Sequence, residues 1–231
     1  MRFIIQEQPR EKILASGRYR FEQNGVPTGA VESWRLTAVA DTYRFLRVDL
    51  DAREAASGHS YLYHAVVNAE ERIERLKYRF WSDALTIVGD VVLEETAVTA
   101  TRTVNNQSFE QIVEAPKGYR FWFLSVAGLH FAGWRGGEPK TAVILQSQIG
   151  GPDTLTVQVV NFDYHMLITD YMEMEAAGKR RKYVPYKLAW DEQIRIIQRS
   201  YDESRWPLGM AKIENYVEGV TAVATQYIRY Q

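Results

Sequence analysis

The chain of 231 residues is 46% hydrophobic and 25% charged, a composition that excludes a disordered or fibrous protein. Its formal net charge of −1 argues against a global positive field that would draw it to nucleic acid or anionic lipid. The absence of cysteine excludes disulfides, thiolate metal sites and cysteine nucleophiles. Chains begin to split into domains only above roughly 250 residues, so we expect a single domain over residues 1–231.

The amino-terminal residues predict no export or membrane segment. Only three consecutive apolar side chains occur there, Phe3 to Ile5, whereas a secretory signal has an apolar core of about 7–15 residues. No stretch approaches the roughly 18 apolar residues of a transmembrane helix. We therefore expect a cytoplasmic protein with no membrane span, although a chain trimmed of its signal would look the same.

Alternation with a period of two dominates the first third of the chain. The segments 29–38, 42–50 and 73–80 each place apolar side chains at every second position. In the first of them, Trp34 and Leu36 share a face. This pattern is typical of strands with one buried and one hydrated face, and it is common in antiparallel sheets.

Turn residues separate these alternating segments. Asn24-Gly25 and Glu218-Gly219 are examples, and about a dozen candidate strands follow one another at spacings near ten residues, as in all-β proteins. Residues 65–80 and 200–217 share the order strand, acidic turn, strand. A single domain built of two similar antiparallel sub-sheets therefore stays open as an alternative.

Two segments depart from the period of two. Residues 119–134 are apolar without alternation, and we expect a buried helix of about four turns there, ended by Gly136-Gly137. Residues 163–177 fit a helix and a strand about equally well. They precede the basic run Lys179–Lys182, which we expect to be a solvated strand entrance rather than a phosphate or nucleic-acid site.

The chain carries no established catalytic or metal-binding motif. His59 and His64 are five residues apart and would point to opposite faces of one strand, so no metal site is predicted. No serine lies in a nucleophile elbow, and no glycine-rich phosphate loop occurs. We assign no catalytic residue, metal or cofactor. Asp163 and His165 would share a strand face and form a carboxylate–histidine pair, with Tyr164 or Tyr171 nearby.

The aromatic content exceeds what a minimal core needs. The chain contains 14 Tyr, 9 Phe, 6 Trp and 5 Met, spread over many of the predicted strands. A curved sheet wrapped round a buried helix would use apolar residues on both strand faces and leave part of its concave face for an apolar ligand. An alternative to the ligand site, to which we give equal weight, is that the aromatic side chains simply form a large core. Our candidate ligand-binding residues are Trp34, Tyr78, Phe121, Trp122, Phe123 and Trp134.

A resemblance to known families rests on three parts of the sequence: the segment from Gly17 to Phe21, the turn from Gly25 to Gly29, and the residues 202–217. Long antiparallel strands, a central apolar helix and a closing hairpin resemble bacterial families of unknown function that look like the lipoprotein-carrier and glycolipid-binding-like half barrels. The resemblance implies a strongly curved sheet whose apolar concave face, covered by helix, holds an acyl-like ligand. It carries over no catalytic residue, and those carriers are exported, whereas no export signal is visible here.

The sequence therefore predicts an all-β or β-dominated α+β protein, with a large curved antiparallel sheet or half barrel and one or two helices on its concave face. We favour a non-enzymatic protein that binds an apolar or amphipathic, lipid-like small molecule. The first alternative is an enzyme that uses Asp163 and His165 in the same cavity. The second is a structural or oligomerisation module whose apolar strand faces pair with another subunit.

Overall fold

The structure is a computed structural model that describes residues 7–39, 43–56, 58–132, 140–146, 155–201, 209–215 and 218–230. The first eight strands are β1 (Lys12–Gln23), β2 (Val26–Val39), β3 (Tyr43–Ala52), β4 (His59–Val67), β5 (Ile73–Trp81), β6 (Thr86–Leu93), β7 (Ala97–Val104) and β8 (Gln107–Glu114). The next eight are β9 (Arg120–Phe123), β10 (Thr141–Leu145), β11 (Val157–Met166), β12 (Met172–Ala176), β13 (Lys179–Trp190), β14 (Gln193–Ser200), β15 (Met210–Asn215) and β16 (Val220–Arg229). The helix α1 (Val126–Leu129) continues into a 3-10 turn, His130–Ala132.

The strands form one sheet in the order β8-β7-β6-β5-β4-β3-β2-β1-β16-β15-β14-β13-β11-β10-β9, with β12 on a second part of β13. Strands β1 to β8 are a continuous meander, and β1 joins it to β16. Pairing is antiparallel except between β9 and β10, which run parallel. In the described part of the chain, β8 and β9 are the two ends of an unclosed sheet, so the predicted β-dominated, curved antiparallel architecture is confirmed.

The predicted alternation creates two faces on this sheet. The inner face is the one that carries the cross-strand row Trp34, Val48, Tyr63 and Tyr78, all buried. The outer face carries the polar side chains at the intervening positions. Because apolar side chains on both halves of the sheet point inward, the concave side becomes the hydrophobic core.

The outer face is not uniformly hydrated, because the segment before β1 covers part of it. Glu11 accepts two hydrogen bonds from the guanidinium of Arg47, at 2.8 and 2.9 Å, and a third from the hydroxyl of Thr37. Both charged side chains of this pair are only 2% exposed. Arg47, which lies at an outward position of β3, is thus buried under the segment that contains Glu11.

The expected four-turn helix over residues 119–134 is wrong. The structure has strand β9, one turn of α-helix and a 3-10 turn in its described part, and it places β9, α1 and β10 (the inner segment) inside the curve of the sheet. The inner segment is buried on all sides, which removes the alternation that marks an ordinary strand. Residues 163–177, by contrast, lie in β11 and β12 and the turns that flank β12, with no helix.

Contacts across the concave side hold the sheet in its curve. The Tyr78 hydroxyl donates to the Leu155 carbonyl at 3.1 Å, across 77 residues of chain. The side-chain amide of Gln111 on β8 donates to the Val157 carbonyl at 2.8 Å and accepts from the Val157 N–H at 3.1 Å. Edge strand β8 therefore reaches β11 through one side chain rather than through a backbone ladder. Within the described ranges, no helix is long and apolar enough to span a membrane.

Candidate functional site: a cavity beneath helix α1

A cavity of about 330 Å³ lies between the inner face of the sheet and helix α1. That volume is at the lower end of small-molecule sites, which measure about 300–1,000 Å³. Strands from both halves of the sheet and the start of the inner segment form its walls. Its main apolar lining residues are Phe21, Leu50, Tyr61, Leu124, Val126, Leu129, Ile213, Val220 and Ala222, and its polar ones are His59, Ser125, Arg195, Asn215 and Glu218.

The position of α1 over the inner face is fixed by the buried carboxylate of Glu32. Its two oxygens accept the backbone N–H groups of Val126 and Ala127, each at 2.8 Å. The side chain of Ser125 accepts the Gly128 N–H at 2.8 Å as the N-cap of the helix. These bonds satisfy the amides that the first turn of a helix leaves without intrahelical partners. Strand β2 thereby holds one wall of the cavity.

The protonation of Glu32 is set by two opposing effects. Burial raises the pKa of its carboxyl to about 7, while the two backbone N–H groups that bind the carboxylate oppose that rise. Glu32 pairs across the sheet with Tyr19 and with Leu50, which lines the cavity. A group that titrates near neutral pH therefore lies directly under the helix that covers the cavity.

The polar end of the cavity is built by β14, β15 and the turn after β15. Arg195 and Asn215 are cross-strand partners, and the Arg195 Nη1 donates to Asn215 Oδ1 at 2.7 Å. The Asn215 Nδ2 donates to a Glu218 carboxylate oxygen at 2.8 Å. One end of an otherwise apolar chamber thus presents a cation, an amide and a carboxylate.

Two of the predicted ligand residues serve the packing of the sheet. Trp34 lies over Gly17 on β1, where a Cβ would meet the indole ring at 2.6 Å, and Tyr78 lies over Gly89 on β6, where a Cβ would meet the phenol ring at 2.1 Å. Each ring fills the space that its partner glycine leaves open. Both side chains are buried in the core, and neither lines the cavity.

The remaining predicted ligand residues lie on or after β9. Trp122 and Phe123 are fully buried, with Trp122 packed edge-on against Phe162 and Phe123 packed on Tyr63. Phe121 lines a separate, more polar groove of about 340 Å³ rimmed by charged residues of the β4–β5 and β6–β7 turns. Trp134 lies outside the described residues. The aromatic surplus that suggested a ligand site is thus used largely as core.

The residues of the enzyme alternative lie on the solvent side of β11. His165 Nδ1 and Asp163 Oδ2 are 2.9 Å apart, so the predicted pair forms, but these side chains are 46% and 66% exposed. Tyr164 points to the other face, where its hydroxyl accepts from Arg199 at 3.0 Å. The pair does not line the cavity.

The two histidines of β4 point to opposite faces, as expected. His59 lines the cavity on the inner face, and His64 is buried on the outer face, where burial lowers its pKa to about 4. Within the described ranges, no group of three metal-ligating side chains occurs. The assembly alternative stays a prediction, and the outer face carries exposed apolar side chains at Val88, Val92 and Ile112.

Sequence reasoning missed Glu32 and Arg195 as residues of the site. Glu32 shares its alternation phase with Trp34 and Leu36, which was a usable indication that its side chain points inward. Arg195 is preceded by one isoleucine and followed by two, so its strand has apolar side chains on both faces. No family model, curated protein or solved structure matches the chain, so the expected resemblance to the half-barrel carriers stays a prediction.

Proposed function

We propose that this protein binds an amphipathic small molecule, without catalysis, in the cavity beneath α1. The observation that carries the proposal is the cavity itself: about 330 Å³ of space with mostly apolar walls and a few polar groups at one end. Sites for small molecules have this composition, with apolar walls that supply affinity and a few polar groups that fix orientation. An alkyl chain against Leu129, Ile213 and Val220 leaves its head group near Arg195.

The walls come from parts of the chain that are far apart in sequence. Phe21 on β1 and Ile213 on β15 both pair with Ala222 on β16, so these three side chains form a continuous apolar strip. Helix α1 faces that strip and is tied to β2 by Glu32. A ligand between them replaces water on apolar surface, which is favourable at about 25 cal/mol per Å².

The first experiment asks whether a ligand is already present. Native mass spectrometry of freshly purified protein should show an added mass that disappears on denaturation. Calorimetric titration of delipidated protein with decanoate should then show saturable binding with a negative heat-capacity change, the mark of buried apolar surface. If neither decanoate nor decanol binds, the proposal is wrong.

A variant whose cavity is filled by a larger side chain tests whether the ligand binds there. Val220→Phe adds a ring in the cavity and should weaken decanoate binding at least about tenfold, since a loss of 1.4 kcal/mol is tenfold in affinity. Val92→Phe makes the same change on the outer face, where Val92 is exposed, and should leave binding unchanged. Equal binding by both variants would place the ligand elsewhere.

A further inference from the structure

The cavity contains a buried cation that forms no hydrogen bond with a carboxylate of the described residues. Arg195 lies on the inner face of β14 and is 8% exposed. Its Nη1 donates to the Asn215 side chain at 2.7 Å and to the Ile194 carbonyl at 3.2 Å, and its guanidinium carbon is 5.2 Å from the centre of the Trp190 ring. All of these partners are uncharged.

No carboxylate of the described residues lies within 4.0 Å of the Arg195 guanidinium. Glu218 is the acidic group whose charge Arg195 feels, and its carboxylate is hydrogen-bonded to the Asn215 amide instead. A guanidinium has five N–H donors, and in the described part of the chain only those on Nη1 meet acceptors. Three donors around Nε and Nη2 are therefore left for another molecule.

A buried charge without a counter-charge destabilises the folded state, so its presence suggests a role other than stability. Burial lowers the pKa of the Arg195 guanidinium, which is the expected response to a poorly solvated site. The group nevertheless stays protonated, because arginine does not lose its proton in proteins. A planar guanidinium with free donors on one edge matches a carboxylate, which it can bind through two parallel hydrogen bonds.

We propose that the cavity selects amphipathic ligands with an anionic head group, which binds to Arg195 while the alkyl chain occupies the apolar part. This inference rests on the proposed function and adds the chemical class of the head group. Asn215 holds Arg195 from one side and is itself held by Glu218, so the guanidinium is oriented before the ligand arrives. Fixed donors of this kind favour the ligand whose charge they match.

The test compares two ligands that differ only in their head group. Titration calorimetry at low ionic strength should give decanoate at least about tenfold tighter binding than decanol, the fold-change expected for charge-assisted hydrogen bonds. Arg195→Met should remove this preference by weakening decanoate alone. Retained decanol binding shows that the cavity of the variant is intact. Arg195→Lys should keep part of the preference, because the charge remains and the two-donor geometry is lost.

Arg75→Met is the matched control, since Arg75 lies exposed on the outer face and pairs with Asp90. It should change neither affinity. Equal affinities of the wild-type protein for the two ligands overturn the inference and leave the proposed function standing. A preference that persists in Arg195→Met, or in Arg195→Lys at full strength should the methionine variant fail to fold, also overturns it. Binding of neither ligand removes the proposed function and the inference together.

Discussion

Two buried arginines on opposite faces of the sheet have opposite electrostatic surroundings. On the outer face, Arg47 is 2% exposed and shares two hydrogen bonds with the equally buried Glu11. On the inner face, Arg195 is 8% exposed and has only neutral hydrogen-bond partners among the described residues. The two side chains are of the same type and nearly equally buried, so the partner alone distinguishes them.

The difference separates a structural role from a binding role. Arg47 and Glu11 neutralise each other and fasten the segment before β1 to the outer face, so their hydrogen bonds are satisfied by the fold. Arg195 keeps donors that the described fold leaves unused, next to a cavity. Burial of a charge therefore does not indicate function by itself, and the decisive observation is whether the chain supplies the counter-charge.

The largest expected effect is on the outer face. Glu11→Gln removes the carboxylate that binds the buried Arg47 guanidinium through two hydrogen bonds, and we expect the free energy of unfolding to fall by about 3–5 kcal/mol, the usual cost of breaking a buried ion pair from one side. Urea denaturation followed by tryptophan fluorescence measures it. Glu71→Gln breaks the more exposed pair with Arg44, also at 2.8 Å, and should cost less than about 1 kcal/mol. Similar losses in both variants would contradict the structural role of Arg47.

Glu32 differs from both arginines, because it is a buried acid bound by backbone amides rather than by an ion of opposite charge. Its folded pKa of about 7 exceeds the ordinary value of 4.5, so its stabilising contribution is complete below pH 4.5 and is lost as the pH rises through 7. We expect the unfolding free energy of the wild-type protein to fall by about 3 kcal/mol over this range relative to Glu32→Gln.

Urea titrations at pH 5, 6, 7 and 8 would measure this difference between the two proteins. His64 titrates with the opposite sign, since its lowered pKa makes stability fall as the pH drops below 6.5 towards 4. That contribution is common to both proteins and cancels in the difference. A difference that does not change with pH would show that Glu32 keeps one protonation state throughout.

Arg195→Met tests the inner face for stability rather than binding. Removing a buried charge whose hydrogen-bond partners among the described residues are all neutral should raise the free energy of unfolding by about 1 kcal/mol, as replacements of buried charges by apolar side chains often do. Thermal unfolding of ligand-free protein is the measurement. A loss of more than about 2 kcal/mol would make Arg195 a structural arginine like Arg47 and would remove the contrast between them.

The smallest effect is expected at the exposed pair on β11. Asp163→Asn separates the charges of a pair whose side chains are about half or more exposed, so it should change the unfolding free energy by less than about 0.5 kcal/mol. Decanoate binding should also stay the same. A loss of binding in this variant would link the pair to the cavity and favour the enzyme alternative.

Alternation predicted much of this fold, because the sheet separates a core from an outer surface. The segments 29–38, 43–50 and 73–80 lie in strands whose inner faces are apolar, and residue 42 of the second predicted segment lies outside the described residues. The prediction failed at the inner segment, where burial on every side removes the period of two. An apolar segment of this kind is equally consistent with a buried helix and a buried strand, so periodicity cannot separate them.

The cavity was harder to predict than the fold. Aromatic content indicated a large interior but not which side chains would be left without packing partners. Trp34 and Tyr78 cover glycines on the neighbouring strands instead of lining the cavity, and only the register of pairing shows this. An arginine on a strand is ordinarily expected to face water. The side chain of Arg195 points inward because of the register in which β14 pairs with β13 and β15.

The pairing of β1 with β16 sets the order in which this sheet can be completed. Strands β1 to β8 are joined by local hairpins and can form as soon as they leave the ribosome, whereas the second edge of β1 is covered only by residues made some two hundred positions later. Until then β1 exposes an unpaired strand edge, which is a template for association with other chains. Pairing of β1 with β16 therefore removes this exposed edge from the nascent sheet.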